Sequence, residues 1–97
     1  MTTERLISDA EAYLKQFRST DDVAAECRRL GVTGLPGACK SCAVANLLRR
    51  QFPQHGGPTV VPYGPVWLPG HNNFPCPPVV SEFANRFDEG YFPDLVA

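Results

Sequence analysis

The longest absence in this chain of 97 residues is charge: residues 51–81 contain no Asp, Glu, Lys or Arg. Other absences narrow the field. No apolar run approaches the ~18 residues that a membrane-spanning helix needs. The start, MTTERLISDA, has no basic stretch followed by an apolar core, so it does not read as a signal peptide. There is no surplus of basic residues. The formal net charge is −1, which argues against general nucleic-acid binding, where a basic footprint is required. No G-x-S-x-G, P-loop or paired-carboxylate motif occurs, and no internal repeat. These absences predict a cytoplasmic protein without a membrane span and without general nucleic-acid binding. Its four cysteines should then stay reduced unless they hold metal or do redox chemistry.

Apolar residues make up 43% and charged residues 20%, a composition that folds rather than one that stays disordered. A chain this long predicts one globular domain over residues 1–97, with a modest core. The two halves differ. Residues 1–50 carry eight Lys or Arg against six Asp or Glu, whereas residues 51–97 carry one Arg against four acids. Nine of the ten prolines lie from Pro53 onward.

Periodicity predicts a first helix over residues 3–18, with Leu6, Ile7, Ala10, Tyr13, Leu14 and Phe17 on one face. Ser19-Thr20-Asp21-Asp22 is a start signal for a second helix, with Thr20 as the cap. Val23, Ala24, Cys27 and Leu30 form its apolar stripe, so Cys27 should be buried and inert. Gly31 should end it in the left-handed conformation, with Val32 folding back. Gly34-Leu35-Pro36-Gly37 reads as a turn. A third helix is expected over residues 39–51, with Val44, Ala45, Leu47, Leu48 and Phe52 on its broad apolar face, stopped by Pro53. Residues 59–61 and 66–68 read as two short strands around the turn Pro62-Tyr63-Gly64-Pro65. Such a hairpin must pack on a helix or a third strand, because alone it is marginal in water. Residues 69–78 read as an irregular loop. Pro77-Pro78 opens a fourth helix, which buries Val79, Val80, Phe83, Ala84 and Phe87 and stops at Gly90. The end, YFPDLV, is too apolar for a free tail and should pack back. The expected fold is α+β: three N-terminal helices, a small β-hairpin and a C-terminal helix around one core.

Chemistry concentrates at Cys39-Lys40-Ser41-Cys42. On the first turn of a helix the two thiols would share a face, and the dipole would favour their thiolates. Three readings stay open. Zinc could be held by Cys39 and Cys42 with two of His55, His71 and Cys76. A Cys39–Cys42 disulfide could cycle in a redox protein. Or two small residues simply let a helix start pack closely. No second C-x-x-C is present, and the motif follows a turn after a helix rather than a strand. Arg28-Arg29 and Arg49-Arg50 complement the negative ends of their helices or form a small patch for an anion or acidic partner.

The segment CKSCAV resembles the central C-x-x-C of the WhiB-like iron–sulfur regulators. In that family another cysteine follows after five residues. Here that position is Leu48, on the apolar face, so a cluster of that type lacks a ligand. A broader resemblance covers about residues 21–95. DDVAAECRRLGVTGLPGACKSCAVANLLRR, a short hairpin and VVSEFANRFDEGYFPDL resemble small uncharacterised proteins of actinobacteria and their phages. Those show a G-x-x-G turn, a Cys-Pro-aliphatic-Ala-x-Tyr-Leu helix and an F-x-x-x-F-D-x-G-x-[FY]-P-x-L ending. Ala43 stands where proline is usual, and Leu47 where tyrosine is usual. The resemblance implies the same order of elements and no known activity.

The expected function is a non-enzymatic protein-interaction or regulatory module with no cofactor, of the kind a phage directs at a host protein. The alternative is a zinc-binding or redox thiol protein built on Cys39 and Cys42. The neutral stretch favours the first reading. It carries Tyr63, Trp67 and Phe74 among many aliphatic residues, and a domain this small cannot bury all of them. Aromatic side chains with few charges mark the centres of protein interfaces. Tyr63, Trp67, His71 and Phe74 are the expected partner-binding residues. Trp67 is the leading one, with core packing as its other possible role. Cys39, Cys42, Cys76 and His71 are the residues for the metal alternative.

Overall fold

The computed structural model describes residues 3–53, 57–68 and 73–97, with side chains from residue 7 onward. His55 and His71, expected as ligands or contacts, lie outside the described residues.

Helix α1 spans Thr3–Lys15 and buries Ala10 and Leu14; Phe17 is buried just beyond it. The helix ends earlier than the expected residue 18 because the next cap needs extended backbone. Ser19, at φ −148° and ψ 164°, is the cap of α2 (Thr20–Leu30), and its hydroxyl accepts from the Asp22 N–H at 3.1 Å. The expected cap Thr20 is instead the first helical residue and is buried. At the other end Gly31 takes φ 68° and donates its N–H to Arg28, while Val32 N–H returns to Cys27 at 2.8 Å. This paired closure is the Schellman arrangement, and it tucks Val32 into the core as expected.

The next loop is fastened from several sides. Gly34 lies flat against the start of α3 (Ala43–Gln51): a Cβ there would sit 2.3 Å from the Ala43 nitrogen. Its N–H donates to the Leu95 carbonyl at 2.9 Å and its carbonyl accepts from Ala97 at 2.8 Å. Asn46 of α3 donates to the carbonyls of Thr33 and Ser41, closing the loop across its mouth. The Asp88 carboxylate accepts the Gly37 N–H at 2.7 Å. Helix α3 therefore begins at Ala43, not at residue 39, and Cys42 is its cap.

Three strands follow: β1 (Thr59–Val60), β2 (Pro65–Trp67) and β3 (Phe74–Pro75). They form one antiparallel sheet in the order β1-β2-β3, with Thr59 opposite Trp67, Val60 opposite Val66, and Pro65 opposite Pro75. The expected hairpin is thus a three-stranded meander. Its third strand was hidden because two residues, one a proline without an N–H, show no alternation to read. Val60, Val66, Leu68 and Phe74 face the core.

Helix α4 (Pro78–Asp88) starts with proline at its first position and buries Val80, Phe83, Ala84 and Phe87. It packs chiefly on α2. Gly90 at φ 91° turns the chain into a short 3-10 turn, Pro93–Leu95. There Leu95 and Phe92 return to the core, and the Phe92 ring lies 4.9 Å from that of Phe83. Arg28 makes a two-pronged ion pair with Asp94 at 2.7 and 3.2 Å, which holds the turn on α2. The tail packs back as its composition requires. The fold is α+β, with four helices and one small three-stranded antiparallel sheet. No helix among the described residues is long and apolar enough to cross a membrane.

Candidate interaction surface

The strands are short, but their alternation sorts the residues cleanly. With Val60, Val66 and Phe74 turned inward, Thr59, Trp67, Pro65 and Pro75 turn outward. Trp67 is 55% exposed in the central strand. Beside it a hollow of about 480 Å³ is lined by Lys40, Thr59, Val61, Pro65 and Trp67, among others. A second hollow, of about 470 Å³, is lined by Tyr63, Pro65, Asn73 and Pro75 and reaches Pro78 and Ser81 of α4. Pro65 lines both hollows.

Tyr63 owes its position to the turn between β1 and β2. The Gly64 N–H returns to the Val61 carbonyl at 2.9 Å, with Pro62 and Tyr63 at the two corners. Proline suits the first corner, but Tyr63 at the second takes φ 60°, a conformation that favours glycine or asparagine. The bend is held from below: Tyr63 N–H donates to the Ser81 hydroxyl at 3.0 Å, and that hydroxyl donates to the Cys76 carbonyl. The ring itself is 69% exposed. A strained backbone therefore displays a large aromatic side chain that the core does not use.

Of the four residues expected at a partner surface, Tyr63 and Trp67 are exposed, and each lines a hollow that has Pro65 in its wall. Phe74 is not available to a partner. It is only 4% exposed, because its register opposite Val66 turns it inward. His71 lies outside the described residues. Lys40, Val61 and Pro75 also line these hollows and are not among the residues expected at a partner surface. Val61 and Thr59 were findable from alternation along β1. Lys40 was not, because the fold brings it there from another segment: the Val60 N–H donates to the Cys39 carbonyl at 2.9 Å.

The structure gives the two cysteines of the C-x-x-C different surroundings. Cys39 is exposed on the turn before α3, whereas Cys42 is buried as the helix cap, its Sγ accepting from the Ala45 N–H at 3.4 Å. Burial pushes the Cys42 thiol up from its ordinary range despite that bond, so the cap is a thiol and not an activated thiolate. Burial likewise raises Cys76, and raises Cys27 to about 12. Among the described residues no three His, Cys, Asp or Glu side chains converge as a metal site would require. Of the two dibasic pairs, Arg28 is engaged by Asp94, Arg29 by Glu26 and Arg49 by Asn46.

No known protein family, curated protein or solved structure matches this chain, so the resemblance to actinobacterial and phage proteins rests on the sequence pattern alone. The structure gives that pattern a physical reading. Gly34 admits the α3 backbone, Cys42 caps it, Asp88 holds Gly37 and Leu95 anchors the tail. Each builds the fold, and none lies on the outward face of the sheet.

Proposed function

We propose that this chain is a non-enzymatic protein-interaction module whose partner surface is the outward face of the sheet, centred on Trp67 and Tyr63. One observation carries the reading: two large aromatic residues, each more than half exposed, line neighbouring hollows that share Pro65 and have no acid among their described lining residues. Exposed tryptophan and tyrosine have little to offer a monomer. At an interface they supply contact area for little lost conformational freedom. A regulatory role fits such a module, including that of a phage protein acting on a host protein. The fold needs no cofactor in this reading, because its core already links every element. Chelator should then leave its far-ultraviolet circular dichroism and melting temperature unchanged; unfolding in chelator, reversed by zinc, would point to the metal alternative.

The direct test is capture of a partner by immobilised wild-type protein, Trp67→Ala and Tyr63→Ala, with folding checked by circular dichroism. Both variants should stay folded and lose the partner. Folded variants that retain it would sink the assignment of this face. No observation favours the thiol alternative, since Cys42 is committed to the start of α3.

A further inference from the structure

Resting on the interaction-module reading, the geometry points to a specific occupant. We propose that the outward sheet face takes an extended, proline-containing peptide segment that carries an acidic residue beside Lys40.

The edges of the sheet decline an added strand. On one side the Val60 N–H is already given to Cys39. On the other, β3 is two residues long and Pro75 has no N–H to give. Recognition must therefore work through side chains on the face, not through a backbone ladder. Those side chains are rings: Trp67, Tyr63, Pro65 and Pro75. Each of them lines one or both of two hollows that share Pro65 as a wall, a run of small apolar depressions and not a long groove of the kind an amphipathic helix fills. A polyproline II segment suits this relief. It has about three residues per turn, keeps its ridges preformed and leaves its carbonyls without internal partners. Trp67 Nε1–H and the Tyr63 hydroxyl are donors for such carbonyls.

Charge selects among occupants. Lys40 is the only charged residue among the described residues that line the two hollows. It has no ion pair among the described residues. A second copy packed face to face would bring two lysines to a surface without an acid, which disfavours self-association. A peptide with an aspartate or glutamate at that end is matched instead.

The chain has one tryptophan, so its emission reports on the face directly. The probe is a ten-residue oligoproline with one central glutamate. Controls are its lysine counterpart and a glycine–serine peptide with the same glutamate. The glutamate oligoproline should give a saturable change in Trp67 emission, bind about fivefold or more tightly than the lysine peptide, and outcompete the glycine–serine peptide. By anisotropy of the labelled peptide, Trp67→Ala should weaken binding about tenfold or more. Tyr63→Gly should also weaken it while keeping the melting temperature, because glycine accepts the positive φ. Lys40→Glu should reverse the preference between the two oligoprolines. No saturable binding, binding unaffected by these variants, or a dimer that buries Trp67 would each overturn the proposal. Trp67-dependent capture of a partner through a helix or a folded surface would overturn the peptide assignment and leave the module reading standing. Trp67-independent capture without peptide binding would remove both.

Discussion

Gly34 has no room for a side chain. Its missing Cβ leaves room for the backbone of Cys42 and Ala43, and backbone cannot swing aside as a flexible side chain could. Gly34→Ala should destabilise by about 3 kcal/mol, at the upper end of overpacking costs, as measured by urea denaturation. The cysteines separate just as sharply. Cys39 should react at once with a thiol reagent at neutral pH, and Cys27, Cys42 and Cys76 only as slowly as the fold opens. Fast labelling of two or more thiols in the folded protein would contradict the burial seen here. Cys27→Ala should cost about 1 kcal/mol, as a small core truncation.

Between elements, the start of α3 is the joint on which several segments meet. Cys42 caps the helix, Gly34 lies against it, Asn46 spans the loop before it, and β1 hydrogen-bonds to the turn at Cys39. A serine hydroxyl can replace the weak sulfur acceptor, whereas alanine leaves the Ala45 N–H without a side-chain partner. Cys42→Ser should therefore be more stable than Cys42→Ala by about 1 kcal/mol in thermal or denaturant melts. Equal stability would mean that the sulfur fills space without capping. The sheet depends on a comparable tie: Ser81 of α4 holds the Tyr63 turn, so the exposed aromatic face is anchored to the helical layer.

Across the domain, proton linkage sets an alkaline limit. Burial raises Cys27 from an ordinary 9.0 to about 12, and burial with the Glu26 hydrogen bond raises Tyr13 as well. Both groups are acids held neutral by folding. Above pH 9 the unfolded chain releases the Cys27 proton while the folded chain keeps it, so stability should fall as pH rises from 9 toward 12. The melting temperature should decline over that range, and Cys27→Ala should flatten the decline. An unchanged slope in that variant would show that Cys27 does not contribute. At the acid end the Arg28 ion pair lowers the Asp94 carboxyl below its ordinary range. Its contribution is lost as pH falls through that lowered value, and exposure of both partners keeps it small.

The helices, their stripes and the buried place of Cys27 are legible in the sequence, because period, capping and glycine stops act within a few residues. Ser19, Asp21 and Asp22 open α2 and Gly31 closes it with local bonds. The uncharged segment announced an unusual surface for the same reason: composition is visible in one dimension. The two prolines of Pro65 and Pro75, the burial of Phe74 and the third strand were not legible. They follow from register across a sheet, and two-residue strands carry no period of their own. Nor could spacing tell Cys39 from Cys42. One is exposed and the other buried because Gly37 meets Asp88 and Gly34 meets Leu95, each more than fifty residues further along the chain, around the start of α3. Such contacts leave no local trace, since each residue involved would suit an ordinary turn or helix end equally well. They exist only once the chain has returned to itself.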